Sequence, residues 1–175
     1  MRVALLLRGV NVGGVTVRSA DLRALLAEAG LDDVATVLAS GNAVVTAGSA
    51  AAAATTAEEA LEARYGRRIR VLGIGIDALQ RIVDAYPHGE DDEHTPYVIF
   101  ELEPGVIDAL AQLETADGEA IAAGDGVLYW SNPKGTTLTS GFAKASERAG
   151  RSQGSGKDAT TTRNVRTLRK VLAAA

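Results

Sequence analysis

The stretch SADLRALLAEAGLDDVATVLASGNAVVTAG, residues 19–48, changes its hydrophobic period halfway along. Across 19–30, Leu22, Leu25 and Leu26 keep helical spacing. Ser19 is suited to cap the first turn, Asp21 complements the helix dipole there, and Gly30 closes the segment. Beyond it the pattern becomes β-like. VATVLAS (34–40) and AVVTAG (43–48) predict two strands, with Ser-Gly-Asn (40–42) as the turn between them. The flanks complete the unit. RVALLLRGV (2–10) is an apolar run of strand length, suited to burial on both faces. AAAATTAEEALEARYG (51–66) is an Ala- and Glu-rich helix closed by Gly66, and RIRVLGIG (68–75) alternates like a strand. The order β-α-β-β-α-β is the ferredoxin-like arrangement, with two helices on one face of a four-stranded antiparallel sheet.

The second half repeats that order. IDALQRIVDAYP (76–87) reads as a connecting helix stopped by Pro87, and HGEDDEHTP (88–96) as an acidic loop. YVIFELE (97–103) is a strand and GVIDALAQLE (105–114) a helix. EAIAAG (119–124) and GVLYWSN (126–132) form a hairpin with Asp125-Gly126 near its turn. TLTSGFAKASERAG (137–150) is a helix, DATTT (158–162) a short strand, and a final helix starts near Asn164. The expected fold is α+β: two consecutive ferredoxin-like subdomains with antiparallel sheets and a C-terminal helix. Their bounds are 1–76, a connecting helix and acidic loop over 77–96, and 97–175 with the terminal helix. The duplication is one of topology, since no residue-level repeat is visible.

Composition narrows the function classes. In 175 residues, 46% are hydrophobic and 23% charged, the profile of a globular chain. Aromatics are only 4%, so a core of Leu, Val, Ile and Ala is expected, with few rings to stack on nucleobases. The absence of cysteine excludes disulfides, thiolate metal sites and a cysteine nucleophile. The N-terminal MRVALLLRGVNVGG is too short in apolar residues for a secretory signal. No apolar run approaches the roughly 20 residues that cross a bilayer. A cytoplasmic protein without a membrane partner is expected. Charge is uneven: residues 1–133 carry 9 Lys/Arg against 20 Asp/Glu, and residues 134–175 carry 9 against 2. A basic C-terminal segment suits nucleic acid, an anionic ligand, or the acidic body of the chain itself.

Three polar segments stand at the ends of these elements. GVNVGG (9–14) fits neither G-x-G-x-x-G nor a Walker loop, and the following helix starts five residues beyond Gly14. Its glycines still allow backbone amides to line a concavity, and Arg8 brings a fixed positive charge with five donors. Arg8 either pairs with an internal carboxylate or binds an anion. Ser40 and Asn42 are natural turn residues whose side chains would add neutral donors if that turn lies beside residues 9–14. In TTTRNVRTLRK (160–170), Thr162 or Asn164 can cap the final helix, whose first turns display Arg163 and Arg166. The other tempting runs fail on spacing. GRSQGSGKDA (150–159) is not a phosphate loop and reads as a linker. HGEDDEH (88–94) reads as a solvated acidic loop rather than a metal site. With both histidines in that loop, no Ser-His-Asp arrangement or paired-carboxylate site can be argued, and no catalytic residue is identified.

ALLLRGVNVGG (4–14), DLRALLAEAGLDDVATVLASGNAVV (21–45) and ATTTRNVRTLRKV (159–171) together resemble the bacterial family called domain of unknown function 1697. That family carries Arg-Gly-hydrophobic-Asn-Val-Gly-Gly after a leucine-rich strand, then a Ser-Gly-Asn turn and a closing Thr-Thr-Arg-Asn. The resemblance implies a duplicated α+β fold and no assigned activity. The matching polar positions are Arg8, Gly9, Asn11, Gly13, Gly14, Ser40, Gly41, Asn42, Thr161, Thr162, Arg163 and Asn164. Lysines usual after Gly-Gly are replaced here by Val15, Thr16 and Val17, which leaves Arg18 as the nearby cation. Trp-Asn-Thr after Arg-Asn is replaced by Val165, Arg166 and Thr167.

These readings converge on a small anionic ligand in a pocket between the subdomains. Arg8, Gly9, Asn11, Gly13, Gly14, Ser40, Asn42, Thr162, Arg163 and Asn164 are its expected binding residues, with no metal and no cofactor. Two other readings stand beside it: a nucleic-acid-binding module using the basic C-terminal segment, and a structural or regulatory interaction protein. Whether the protein is an enzyme, and its oligomeric state, are left open by the residues.

Overall fold

Strand β1 (Arg2–Leu7) has no polar side chain between its ends, and the fold buries it on both faces. Val3, Leu5 and Leu7 on one side, and Ala4 and Leu6 on the other, are all at most 1% exposed. The computed structural model describes residues 1–11, 15–137, 139–152 and 159–175. By contact they group into two compact units, Met1–Arg81 with Thr167–Ala175, and Ile82–Arg166.

In the first unit β1 is followed by α1 (Ser19–Glu28), β2 (Asp32–Thr36), β3 (Asn42–Thr46), α2 (Ala50–Tyr65), β4 (Val71–Gly75) and the start of α3 (Ile76–Asp84). The sheet order is β2-β3-β1-β4 with antiparallel pairing throughout, which is the ferredoxin-like order. Val3, Leu5 and Leu7 form one core with Leu22 and Leu26 of α1, Ala53, Ala57 and Leu61 of α2, and Val45 and Val71. Alanine dominates the α2 face because the helix lies close to the sheet. A Cβ added to Gly73 would stand 2.1 Å from the Ala50 carbonyl oxygen. The ends of α2 follow sequence chemistry: Ser49 Oγ accepts Ala52 N at 3.1 Å, and Gly66 closes it at φ 67°.

In the second unit the order repeats as β5 (His94–Glu101), α4 (Val106–Ala111), β6 (Ala120–Ala123), β7 (Val127–Pro133), α5 (Gly141–Ser152) and β8 (Thr160–Asn164). The sheet runs β6-β7-β5-β8, again antiparallel. Its core differs in kind. Tyr97 stacks on Trp130 at 5.1 Å and Trp130 tilts against Phe142 at 5.3 Å, among Ile99, Ile107 and Leu128. Val98 and Phe100 on the other side of β5 are buried too. The terminal helix α6 (Val165–Ala173) was expected with the second half, yet residues 167–175 group with the first unit. Arg2 Nη2 donates to Ala174 O at 3.4 Å across 172 residues of sequence.

Several boundaries depart from the sequence reading, each for a local reason. Ser19 does not cap α1. Arg18 is the N-cap residue and makes no side-chain cap, while Ser19 Oγ donates to Leu38 O at 3.0 Å. β2 stops at Thr36, short of Ser40, because Leu38 adopts φ 57° and breaks the extended backbone. α3 ends at Asp84, ahead of Pro87, as the residue before proline resists helical geometry. α5 begins at Gly141 rather than 137, where Ser140 Oγ accepts Ala143 N at 3.0 Å. Of the expected linker 150–159, residues 153–158 lie outside the described residues.

Glu119 fastens the start of α5. Its Oε2 accepts Ala116 N at 3.0 Å and Phe142 N at 3.2 Å. Ser140 and the Trp130 indole also face the carboxylate. Trp130 Nε1 and Glu119 Oε1 nevertheless close no hydrogen bond of ordinary geometry. Burial, the largest influence, pushes this carboxyl up, but the donors together hold it below the usual carboxylate range.

Two outcomes follow from this packing. Gly73→Ala forces α2 off β4 and should cost about 3 kcal/mol in equilibrium denaturation; an unchanged midpoint would contradict the close approach. A depressed folded pKa gives stability that is present above the unfolded pKa and lost as pH falls through the folded value. Glu119→Gln should therefore melt below wild type at neutral pH, with the two curves converging as pH drops below about 4. A constant gap across that range would remove Glu119 from this role.

Candidate functional site

The polar loop after β1 is assembled by backbone bonds before any side chain contributes. Leu7 N donates to Gly41 O at 2.9 Å and Arg8 N to Arg70 O at 2.8 Å. The end of β1 is therefore held between the Ser-Gly-Asn turn on one side and the start of β4 on the other. Gly41 fits there because a Cβ would meet Val10 Cγ2 at 2.4 Å and Leu7 Cβ at 3.1 Å, and because its φ is +68°.

Asn11 then ties the loop together. It adopts φ 60°, a conformation that asparagine tolerates better than most residues. Its Oδ1 accepts Val17 N at 2.8 Å, and its Nδ2 donates to Val17 O at 3.0 Å and to Ala39 O at 2.7 Å. One side chain thus joins the segment entering α1 to the turn before β3. Asn11 N donates to Val15 O at 2.9 Å, and Val10 bridges Val15, closing the loop on itself. Beyond the glycines Val17 is buried and Val15 packs against the same core, while Thr16 and Arg18 are exposed.

The expected site residues divide between the two units. Arg8, Gly9, Asn11, Ser40 and Asn42 lie in the first, around the loop just described. Arg8 is half-buried, and Gly9, at φ 69°, is exposed. Ser40 is exposed and its Oγ accepts Asn42 Nδ2 at 2.8 Å. Asn42 is wholly buried and also donates to Val37 O at 3.2 Å, so it shapes the turn from beneath. Gly13 and Gly14 lie outside the described residues. Thr162, Arg163 and Asn164 lie in the second unit. Arg163 Nη1 donates to Thr161 Oγ1 and Thr162 O, both at 2.9 Å, and Asn164 Oδ1 accepts Arg166 N at 2.8 Å to cap α6.

Three neighbours of this loop escaped the sequence reading. Arg70 lies opposite Arg8 because β1 and β4 pair in that register, which residue pattern alone does not reveal. Glu58 accepts Val71 N at 2.8 Å and stands 3.6 Å from Arg70 Nε and 3.7 Å from Arg68 Nη2. Leu38, 46% exposed, was read only as a strand residue.

In the acidic loop Asp91 acts as a hub. Its Oδ1 accepts Glu93 N at 2.9 Å and His94 N at 2.7 Å, and its Oδ2 is 3.0 Å from His94 Nδ1. The His94 backbone amide, followed by the imidazole, holds its carboxyl below the ordinary range. Among the described residues no group of three or more His, Cys, Asp or Glu side chains could hold a metal ion. Nor is any described helix long and apolar enough to cross a membrane.

A family model described as "Protein of unknown function (DUF1697)" matches residues 1–129. The solved structure of the conserved bacterial protein SP0830 from Streptococcus pneumoniae is similar in fold, with a TM-score of 0.75 at 23% identity. The match covers 98% of this chain and 96% of that one. No curated protein matches the sequence.

The clamp makes a direct prediction. Asn11→Ala removes three side-chain hydrogen bonds and the tolerance for positive φ, and should cost about 2–3 kcal/mol by chemical denaturation. Asn11→Gly restores only the backbone freedom and should recover about 1 kcal/mol of that loss. Equal stability of all three proteins would show that the bonds contribute nothing.

Proposed function

The chain belongs to the family DUF1697, proteins of unknown function, and from that premise we propose that it binds a small anionic ligand at the loop following β1. The observation that carries this is the pair of backbone bonds that tie Leu7 to Gly41 and Arg8 to Arg70. They bring two guanidinium-bearing residues to adjacent strands at one end of the sheet, beside exposed Ser40 and Gly9. Cationic residues on neighbouring strands raise the local concentration of anions, with Arg70 also held beside Glu58, and a guanidinium offers a planar donor fork that matches an oxyanion. Asn11 supports the reading by fixing the loop, so that little ordering is left for a ligand to impose. Its side chain, and that of buried Asn42, build the site rather than touch its occupant.

The proposal rests on first-unit residues. Thr162, Arg163 and Asn164 hold their own strand and the start of α6. An open sheet surface of the RRM kind is not supported, since β5 carries buried side chains on both faces, with Phe100 only 2% exposed.

The test is a melting-temperature survey at constant ionic strength with inorganic phosphate, phosphate monoesters, nucleotides and carboxylates. At about 100 times its Kd an anion should raise Tm by roughly 5 °C or more, and Arg8→Ala should abolish the rise while melting near wild type. No rise from any anion, together with a large loss of stability in Arg8→Ala, would make Arg8 a structural residue. Salt-sensitive binding of an oligonucleotide at about 50 mM salt, with no response to small anions, would move the function to nucleic acid.

A further inference from the structure

Leu38 is disfavoured twice over. It is one of three non-glycine residues at positive φ among the described residues, at 57°, where a leucine backbone is strained by about 1–2 kcal/mol. Among the described residues it is also one of two large apolar side chains left exposed, the other being Met1. Glycine or asparagine would meet the same turn at lower cost, and neither would place a branched apolar group in water.

The conformation is imposed from both sides. Ser19 Oγ donates to Leu38 O at 3.0 Å, and Asn11 Nδ2 donates to the next carbonyl, Ala39 O, at 2.7 Å. Two side chains from separate segments grip consecutive carbonyls and hold the backbone in the left-handed region. The isobutyl group is left pointing away from a core that takes in its neighbour Val37. Ala39 and Ser40 follow, and Gly41 returns to β1 beside Arg8. Leu38 and Arg8 thus stand on two loops that meet at the same end of the sheet.

We infer that the anion bound at this loop carries an apolar group, an alkyl or aryl substituent beside its charged head, and that Leu38 is the residue that selects for it. This rests on the anion-binding reading given above. It adds the second half of the ligand's chemistry: the charge is met near Arg8, and the hydrocarbon covers Leu38. Covering a half-exposed leucine removes enough apolar surface from water to favour a substituted anion over a bare one by about three- to tenfold.

The experiment compares inorganic phosphate with hexyl phosphate and phenyl phosphate by isothermal titration and melting shift. It uses the full chain and the variants Leu38→Asn and Leu38→Gly, both of which suit the left-handed turn. The inference expects the substituted phosphates to bind wild type about three- to tenfold more tightly than inorganic phosphate, and expects that advantage to vanish in both variants. Equal binding of all three by wild type, or an advantage that survives both substitutions, overturns the role of Leu38 while leaving the anion site standing. Absence of binding by all three overturns the anion site and this inference together.

Discussion

A strand that is buried on both faces has no room for a polar side chain along its length, and β1 is such a strand. Everything polar that it carries is displaced to its two ends, where Arg2 and Arg8 stand five apolar residues apart. At one end Arg2 donates to Asp33 O and Thr46 Oγ1 as well as to Ala174 O just beyond α6. At the other, Arg8 enters the loop that Asn11 closes. The chemistry of the first unit is therefore concentrated by the same burial that holds its sheet together. A central strand with alternating polarity would have spread it over a face instead.

The two units share a strand order but not a way of filling their cores. The first is almost wholly aliphatic, with Tyr65 its single aromatic, and it uses alanines to bring a long helix close to the sheet. The second concentrates the rings, stacking Tyr97, Trp130 and Phe142. Averaged over the chain, aromatics are scarce at 4%, which suggests an aliphatic core throughout. The average conceals the division. One topology accepts both solutions because it requires only apolar volume at alternating positions.

The order of elements was legible because it rests on period: runs of Val, Leu and Ile for strands, leucines at helical spacing, and glycines where helices end. The ferredoxin-like arrangement of both halves follows from that alone. Boundaries were less legible where one residue overrides its own propensity. Leu38 belongs to a β-favouring run yet leaves the strand, because Ser19 grips its own carbonyl and Asn11 that of Ala39. The same limit applied to the site. That Asn11 sits in a turn could be read from its type, but that its amide reaches Val17 and Ala39 depends on how two loops approach in space. Arg70 was hidden for a similar reason, since the register of β1 on β4 decides which cation faces Arg8. Glu119, between a loop and the start of a helix, carried no sequence signal at all for its role at Phe142 N.

The discontinuity of the first unit bears on how the protein is made. Residues 1–81 contain a complete four-stranded sheet, yet the unit also includes Thr167–Ala175, with Leu168 and Val171 wholly buried. During synthesis the early sheet must wait for a helix that follows the whole second unit in sequence, at a separation that makes closure slow. In that interval, apolar side chains destined for burial are open to other chains. A growing polypeptide of this design has reason to meet a chaperone before α6 is made, and a ribosome stalled ahead of that helix would release a species more adhesive than the folded protein.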